Sequence, residues 1–385
     1  MQSSSTPNAH PAQDVEAIDA LFLQAGLARS LRGNAAGVTR RVCFERATPE
    51  ELSRAAPIPR LAPNGIQWLP VLGWDEFGRD KSGRQKTHWL WHGFSTRKGG
   101  LSRAYCAEGA PGELNLGFTA ADDRETVTRN RQLLAEAVTG DPATPLVTIR
   151  QIHSSLLRLA TAPDAARERP WKAGVPSDAP TLEGTPAPTS SLGWKADGLM
   201  TDEPGLLLGV QTADCIPVLV ADRKRRAVAA FHAGWKGTVK RIVESGIGRM
   251  RLEFGSRPED LVAAIGPGIG ACCYAVGEEV LSSFESQFVY ANDLFREVYD
   301  TDPVRSRYPM LFLAQRAPGH LALGPSLHLD LVEANRRQLL SAGLKPRSIK
   351  LIGGCTCCQP ELFFSHRASN GRAGRMLGVI GIRPR

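Results

Sequence analysis

Short apolar runs and amphipathic stretches alternate along the chain from about residue 66. "THWLWHGFSTRKGGLS" reads as a strand entering a Gly-rich loop, and "PLVTIRQIH" as a strand ending at His153. "DGLMTDEPGLLLGVQTADCIPVLVAD" gives two short strands broken at Glu203-Pro204-Gly205, and "AVAAFHAGW" gives another. "PEDLVAAIGPGIGACCY" is a strand followed by a tight turn, and "SIKLIGGCTCC" and "MLGVIGI" are late strands. Three stretches carry helical spacing instead. In "TAADDRETVTRNRQLLAEAVTG", Asp122 is placed to cap, Val127, Leu133, Leu134 and Ala137 form the inner face, and Gly140 ends the helix. "GTVKRIVESGIGRMRLEF" and "HLDLVEANRRQLLSAGL" are the other two.

Strands alternate with helices, yet several neighbouring strands have no helix between them. The expected class is therefore α+β: mixed β-sheets packed together and flanked by helices, in a single main domain. That domain is expected over 66–385, behind an N-terminal extension over 1–65. Within the extension, residues 1–13 read as a disordered lead. Residues 14–32 read as a helix, with Val15, Ile18, Leu21, Phe22 and Ala25 apolar and Gly33 as its stop. Pro57, Pro59 and Pro63 mark a linker. Aperiodic segments at 161–194 and 290–325 read as insertions. No repeat of fixed period is present.

The formal net charge of +8 suits an anionic small substrate. The longest basic run, Arg223-Lys224-Arg225-Arg226, lacks aromatic neighbours and reads as a solvated hairpin turn, so no nucleic-acid partner is expected. The start "MQSSSTPNAH" has no basic-then-apolar signal, and the apolar region 205–221 is interrupted by Gln211, Thr212 and Asp214, so neither export nor membrane insertion is expected. Eight cysteines in 385 residues fit reduced thiols in a cytoplasmic protein better than a disulfide scaffold.

His153, Cys215 and His232 share one placement, each at the end of an apolar run beside small or polar residues. Two imidazoles and a thiolate are a common zinc set that leaves a fourth position open. The same residues fit a thiol nucleophile with its base, Cys215 and His232, or a blue-copper centre, for which Met200 and Met376 are the axial candidates. Gly266, Gly268 and Ala271 match G-x-G-x-x-A, but Pro267 and Cys272-Cys273 disturb the helix a dinucleotide site requires, which favours a structural or substrate-lining turn. Cys355, Cys357 and Cys358 in "CTCC" lack a second ligand pair at finger-like spacing and read as buried or pocket-lining thiols. Arg97 and Arg367 sit in small-residue loops, where a guanidinium can grip phosphate or carboxylate or form a structural ion pair.

The segments "HGFSTRKGGLS", "LNLGF", "QIH", "ADGLMTDEPGLLLGVQTADCIPVLVAD", "FHAGWKGTVKRIV", "IGPGIGACCYAVGEEV", "LDLVEANRRQLLSAGL" and "FFSHRASNGRAGRMLGVIGI" occur in the order seen in one family. Over roughly 66–385 the chain resembles the laccase-domain, or multicopper polyphenol oxidase, proteins. Many of these are regarded as purine nucleoside phosphorylases with adenosine deaminase activity. The family's two-histidine, one-cysteine metal site matches His153, Cys215 and His232. The chain departs from the family at Ser154, at His366 where a tyrosine is usual, and at Asn370 where an aspartate is frequent.

The resemblance implies phosphorolysis of adenosine, inosine and methylthioadenosine, and deamination of adenosine. The expected cofactor is Zn2+, with Cu2+ as the alternative. The expected partners are purine nucleosides and phosphate; no oligomeric state is implied. Arg97 is expected to bind the anion with Arg367 as a further candidate, and Asp214 to orient the ligand Cys215 or carry a proton. Two rival activities are a cysteine hydrolase and a copper polyphenol oxidase. The latter calls for His-x-His ligand pairs, which the sequence lacks.

Overall fold

Seven-residue runs with no room for a wet face, such as 216–222 and 227–233, form strands only if both of their faces are covered. The computed structural model describes residues 58–74, 89–161, 195–298 and 326–384, and supplies that cover with a second sheet on one side and helices on the other. The chain divides into two units, Met1–Arg41 and Val42–Arg385; the described residues all belong to the second. The expected helix over 14–32, the segment 162–194 and residues 299–325 lie outside the described residues.

The strands are β1 (Arg60–Leu61), β2 (Gln67–Leu69), β3 (Leu90–Ser95), β4 (Lys98–Ser102), β5 (Leu146–Thr148), β6 (Leu157–Leu159), β7 (Gly198–Thr201) and β8 (Leu207–Thr212). They continue as β9 (Ile216–Asp222), β10 (Ala227–Ala233), β11 (Leu261–Ile265), β12 (Ala275–Val276), β13 (Phe295–Val298), β14 (Ser326–Leu329), β15 (Ile349–Leu351) and β16 (Met376–Ile382). The helices are α1 (Arg124–Thr139), α2 (Trp235–Val239), α3 (Ile242–Phe254), α4 (Glu278–Glu285) and α5 (Leu331–Ser341).

One six-stranded sheet runs β1-β2-β3-β16-β8-β5 and the other β15-β11-β9-β10-β7-β6; a small sheet runs β12-β14-β13. Pairing is antiparallel except where β5 lies along β8, β6 along β7 and β15 along β11. The two large sheets meet through Phe94, Leu208, Val210 and Ile380 on one and Leu219, Ala221, Val228 and Ala230 on the other. Val218, Val220 and Phe231 point the opposite way, onto Ile242, Val243, Ile247 and Met250 of α3 and Leu331 and Leu339 of α5. Trp68, Trp91, Leu207 and Val379 face Leu134 of α1. The result is four layers, helix–sheet–sheet–helix, in the α+β class expected from the sequence.

Several local details differ from the sequence expectation. Asp123, not Asp122, caps α1 by accepting from Thr126 N at 2.8 Å; Asp122 is occupied by Asn115 Nδ2 at 2.6 Å. Asn130 and Ala135 join Val127 and Leu134 in the buried face of α1, while Leu133 and Ala137 are half-buried. The Gly-rich segment after β3 pairs as β4, bridged to Glu113. Three strands occupy 198–222, because Asp214-Cys215 interrupts the second run. The helix after β10 breaks at Arg241, whose φ of 58° is left-handed. Residues 291–298, expected to be irregular, form a 3₁₀ turn and β13. The basic run 223–226 is the β9–β10 hairpin turn, held by Lys224 N and Arg225 N on Asp222 Oδ1 at 2.8 Å each. No helix among the described residues is long and apolar enough to cross a membrane.

Two glycines of α3 test the layer packing. A Cβ on Gly246 would lie 2.3 Å from Cζ of the buried Phe231 ring, whereas Gly248 meets nothing within 4 Å. Gly248→Ala should stabilise the fold by up to about 1 kcal/mol, by removing unfolded-state freedom. Gly246→Ala should destabilise it by roughly 1–3 kcal/mol through overpacking. Urea unfolding of the two variants side by side checks this; equal behaviour would contradict the close approach of α3 to β10.

Candidate metal centre

The β9–β10 register pairs Ala233 with Ile216 and His232 with Pro217. Cys215, one residue before β9, is thereby carried to the open end of the hairpin beside His232. The β10–β7 register pairs Phe231 with Gly198, so Asp197, one residue before β7, falls opposite His232. His232 N donates to Asp197 O at 2.7 Å, and His232 Nδ1 meets Asp197 Oδ1 at 2.8 Å. This bond places the Nδ1 proton toward the carboxylate and leaves Nε2 as the free donor atom.

His153 is not at a strand end. It lies in the loop between β5 and β6 with φ 57°, and it is exposed. The loop is pinned at both ends of the "QIH" motif. The Gln151 amide exchanges two 2.7 Å hydrogen bonds with the backbone of Gln211 on β8. The Asp197 carboxylate accepts from Ile152 N, His153 N, Ser154 N and Ser154 Oγ at 2.6–3.2 Å. Ser154 thus supplies two of these donors.

The donor atoms of His153, Cys215 and His232 all lie within 4.8 Å of one another, with Cys215 Sγ 3.8 Å from His153 Nε2. The two imidazoles cross edge to face, 5.0 Å between centroids. Gly234 is required here, because a Cβ would sit 2.9 Å from Cys215 Sγ and 3.0 Å from His153 Cδ2. Two imidazole nitrogens and a sulfur, one imidazole already oriented by a carboxylate, fit a metal ion with an open coordination position on the exposed His153 side. The charges favour ligation by sulfur. Burial pushes the Cys215 thiol up, but the His232 charge and hydrogen bonds from His153 and His232 outweigh it and bring the thiol down to about 6. Burial also works against charge on His232, yet the Cys215 thiolate and the Asp197 bond raise it to about 9.

The other candidates are arranged differently from one another. Asp214, also left-handed at φ 91°, spends one carboxylate oxygen on Thr356 Oγ1 (2.7 Å) and the other on Arg367 N (2.6 Å), and its carbonyl accepts from Ile269 N (2.8 Å). It ties loops 266–274 and 353–367 to the residue preceding Cys215. The loop containing Gly266, Gly268 and Ala271 continues into a turn and β12 instead of opening a helix, so it has no dinucleotide-type helix start. Arg97 is committed to Glu113 Oε1 at 2.6 Å and Pro360 O at 2.6 Å, with its Cζ 4.6 Å over the Phe364 ring. Arg367 is exposed, donates to Ala275 O at 2.9 Å and lies 5.4 Å over the Tyr274 ring. Burial pushes the Tyr274 phenol up; Arg367 N on the Asp214 carboxylate brings this arginine's backbone to the residue preceding Cys215. Met200 and Met376, the sulfur atoms considered for a copper axis, are packed in two different cores. Sequence reasoning missed Asp197 and Gln151. Both stand in quoted motifs, and their partners emerge only once strand register is known.

These features define an α+β protein carrying a two-histidine, one-cysteine centre between its sheets and its loops. The chain belongs to the family described as multi-copper polyphenol oxidoreductase laccase, whose profile matches residues 91–383. It is 33% identical over 76% of its length to a purine nucleoside phosphorylase of Bacteroides thetaiotaomicron, covering 91% of that protein. It is 34% identical, again over 76% of its length, to the purine nucleoside phosphorylase YlmD of Geobacillus stearothermophilus, covering 89% of that protein. It is 30% identical over 73% of its length to adenosine deaminase RL5 from an unknown prokaryotic organism, covering 90% of it. Among solved structures, a hypothetical protein YfiH of Bacillus licheniformis aligns with TM-score 0.61 at 28% identity, covering 84% of this chain and 99% of that one.

Removing the Asp197 carboxylate should loosen His232 and the His153 loop together. Asp197→Ala is expected to lower metal affinity about 10- to 100-fold, measured by competition with a chromophoric chelator; unchanged affinity would separate Asp197 from the centre. A second outcome concerns protonation. After chelator treatment, alkylation of Cys215 by iodoacetamide should rise through about pH 6. A lowered thiol value means that thiolate persists above that pH and is lost below it. Peptide mass spectrometry across pH 5–9 checks this; a midpoint at the ordinary thiol value of about 8.5 would contradict it.

Proposed function

We propose that the chain is a zinc-dependent purine nucleoside phosphorylase with adenosine deaminase activity, acting at the His153–Cys215–His232 centre. The observation that carries this reading is the three-donor set, open on the His153 side and flanked by the exposed Arg367 over Tyr274. The names of the relatives at 30–34% identity supply the substrate class.

His153, Cys215 and His232 would hold the zinc ion, which when bound would supply a Lewis acid able to lower the pKa of water toward neutrality. The protein's own groups do the rest. Asp197 holds the imidazole of His232 in one tautomer and fixes the backbone that carries His153. Cys215 contributes its negative charge from the hairpin end. In deamination, water adds to the purine carbon bearing the amine and ammonia leaves. In phosphorolysis, phosphate oxygen attacks the sugar carbon as the bond to the base breaks, through an oxocarbenium-like state, and the base leaves with a proton. Both reactions need a bound purine; only the second needs a bound anion.

Arg367 is the better placed of the two arginines for that anion. Its guanidinium is solvent-facing with donors to spare, whereas Arg97 is paired with Glu113. Asp214 has both carboxylate oxygens occupied, so its role is to position the loop bearing Arg367 and the residue before Cys215. The thiolate–imidazolium character of Cys215 and His232 would equally equip a thiol nucleophile. The two chemistries part on metal dependence.

Adenosine should yield adenine and ribose 1-phosphate only when phosphate is supplied, and inosine without it; chelation should abolish both. Arg367→Ala should slow phosphorolysis roughly 10- to 100-fold, the loss of one charge-assisted contact of about 1.5–3 kcal/mol, while deamination changes far less. Chromatography of the products checks each arm. Turnover of adenosine that survives chelation but not iodoacetamide would favour the thiol nucleophile. Equal losses in both reactions would remove the anion role of Arg367.

A further inference from the structure

Away from the His153 centre, four more thiols converge. Cys355, Cys357 and Cys358 lie together in sequence, and Cys272 and Cys273 are adjacent far upstream. The fold selects four of the five: the sulfurs of Cys272, Cys273, Cys355 and Cys358 all lie within 4.8 Å of one another. Cys272 and Cys358 are 3.5 Å apart at Sγ, and Cys273 and Cys358 are 3.3 Å apart. All four are free thiols and none is fully buried.

The arrangement is built by the backbone. β15 runs parallel to β11, and the pairing continues past the strand ends as a bridge between Gly268 and Cys355, with Thr356 N on Gly268 O at 3.0 Å. Two loops therefore leave the same end of the sheet side by side. A turn then folds Cys272 and Cys273 back, with Cys273 N and Tyr274 N both donating to Gly270 O at 3.0 Å. Gly270 N donates to Cys355 Sγ at 3.2 Å, and a Cβ on Gly270 would lie 3.2 Å from both Cys272 Sγ and Cys355 Cβ. This glycine allows the two loops to close around the sulfurs.

We propose that Cys272, Cys273, Cys355 and Cys358 bind a single zinc ion as a closed, structural site, distinct from the His153–Cys215–His232 centre. Four sulfur donors select a thiophilic ion. Tetrahedral zinc with Zn–S of about 2.3 Å requires sulfurs about 3.8 Å apart, and the observed separations of 3.3 Å up to at most 4.8 Å bracket that value. A cage this narrow leaves no space for two irons and their bridging sulfides. The sequence reading of "CTCC" as simple thiols overlooked the upstream pair because a vicinal Cys-Cys has no finger-like spacing. The ion would clamp the loop bearing Ile269 to the loop bearing Thr356, the two loops that bond Asp214 beside Cys215. Its binding does not depend on which reaction the first centre performs.

The test uses the full-length chain produced in zinc-supplemented medium. In Cys215→Ala, where the first centre has lost its thiolate, we expect about one zinc per chain to remain after dialysis. X-ray absorption should show four sulfurs at about 2.3 Å. Titration of the same protein with an organomercurial should release that zinc as four thiols are consumed. Cys358→Ser in the otherwise native chain should lose one equivalent while the other stays. If Cys358→Ser fails to fold, the titration of Cys215→Ala still decides. Absence of zinc from folded Cys215→Ala, a shell containing nitrogen or oxygen, iron or copper in place of zinc, or a mass lower by two hydrogens from a disulfide among the four would each overturn the proposal.

Discussion

One buried carboxylate, Asp197, organises the centre. Its residue is fully inaccessible, and an ionised group so placed costs several kcal/mol unless its oxygens are satisfied. Here they receive three backbone N–H groups, the Ser154 hydroxyl and the His232 imidazole. Burial alone would raise the carboxyl; the bonds from His232 and Ser154 outweigh it and hold the group below its usual value. A depressed carboxylate contributes its stability above the unfolded pKa and loses it as pH falls through the folded one. The charge therefore ties the loop of one metal donor to the strand of another throughout neutral pH. Because Asp197 sits at a register position opposite His232, the sheet itself fixes where that charge falls.

The three donors differ in how firmly they are held. Cys215 and His232 close the ends of antiparallel strands buried on both faces, so their positions follow from sheet geometry. His153 depends on a loop, a left-handed φ and the hydrogen bonds of Gln151 and Asp197. Left-handed non-glycine residues cost roughly 1–3 kcal/mol each and persist where the surroundings over-determine them. Two of the five in the described chain, His153 and Asp214, flank this one centre; Asp214 is held by three hydrogen bonds, and His153 by its own bond to Asp197 and those of its neighbours Ile152 and Ser154. The other three, Arg226, Arg241 and Asn370, stand in a hairpin turn, at a helix break and in the C-terminal loop; these two stand in segments that bend the backbone to present or border a donor.

Much of this was legible in one dimension. β9, β10 and β16 are largely apolar runs, and the two large sheets need both faces covered, so their strands and the α+β class follow from burial. Cys215 and His232 stand out because each breaks the apolar run it borders. What stayed hidden depends on pairing between distant segments. Asp197 looks like any aspartate before a strand until the β7–β10 register sets it opposite His232. Arg97 and Arg367 look equivalent in their loops; only the fold gives Arg97 its Glu113 partner and leaves Arg367 facing solvent over Tyr274. The four-sulfur cluster needs a parallel pairing of β11 and β15 that no local spacing encodes.

Two aspartates thus divide the labour around the centre, and the division bears on where the sequence can vary. Asp197 binds the elements that carry donors, while Asp214 binds the C-terminal loops that border them. The bonds to Asp214 come from the Thr356 hydroxyl and from the backbone amides of Arg367 and Ile269, not from the side chains at the loop tip. His366 and Asn370 lie on that exposed tip; Gly371 N closes the turn on the His366 carbonyl at 2.8 Å. The Ser365 and Ser369 hydroxyls also hold the turn, and Asn370 is left-handed at φ 49°, so the exposed side chain at 366 is the one that can change without releasing Asp214. His153, Cys215 and His232 lie on other segments of the chain, so the donors and this tip are set by different parts of the fold. That separation lets the three donor positions stay fixed while the exposed tip residue at 366 differs.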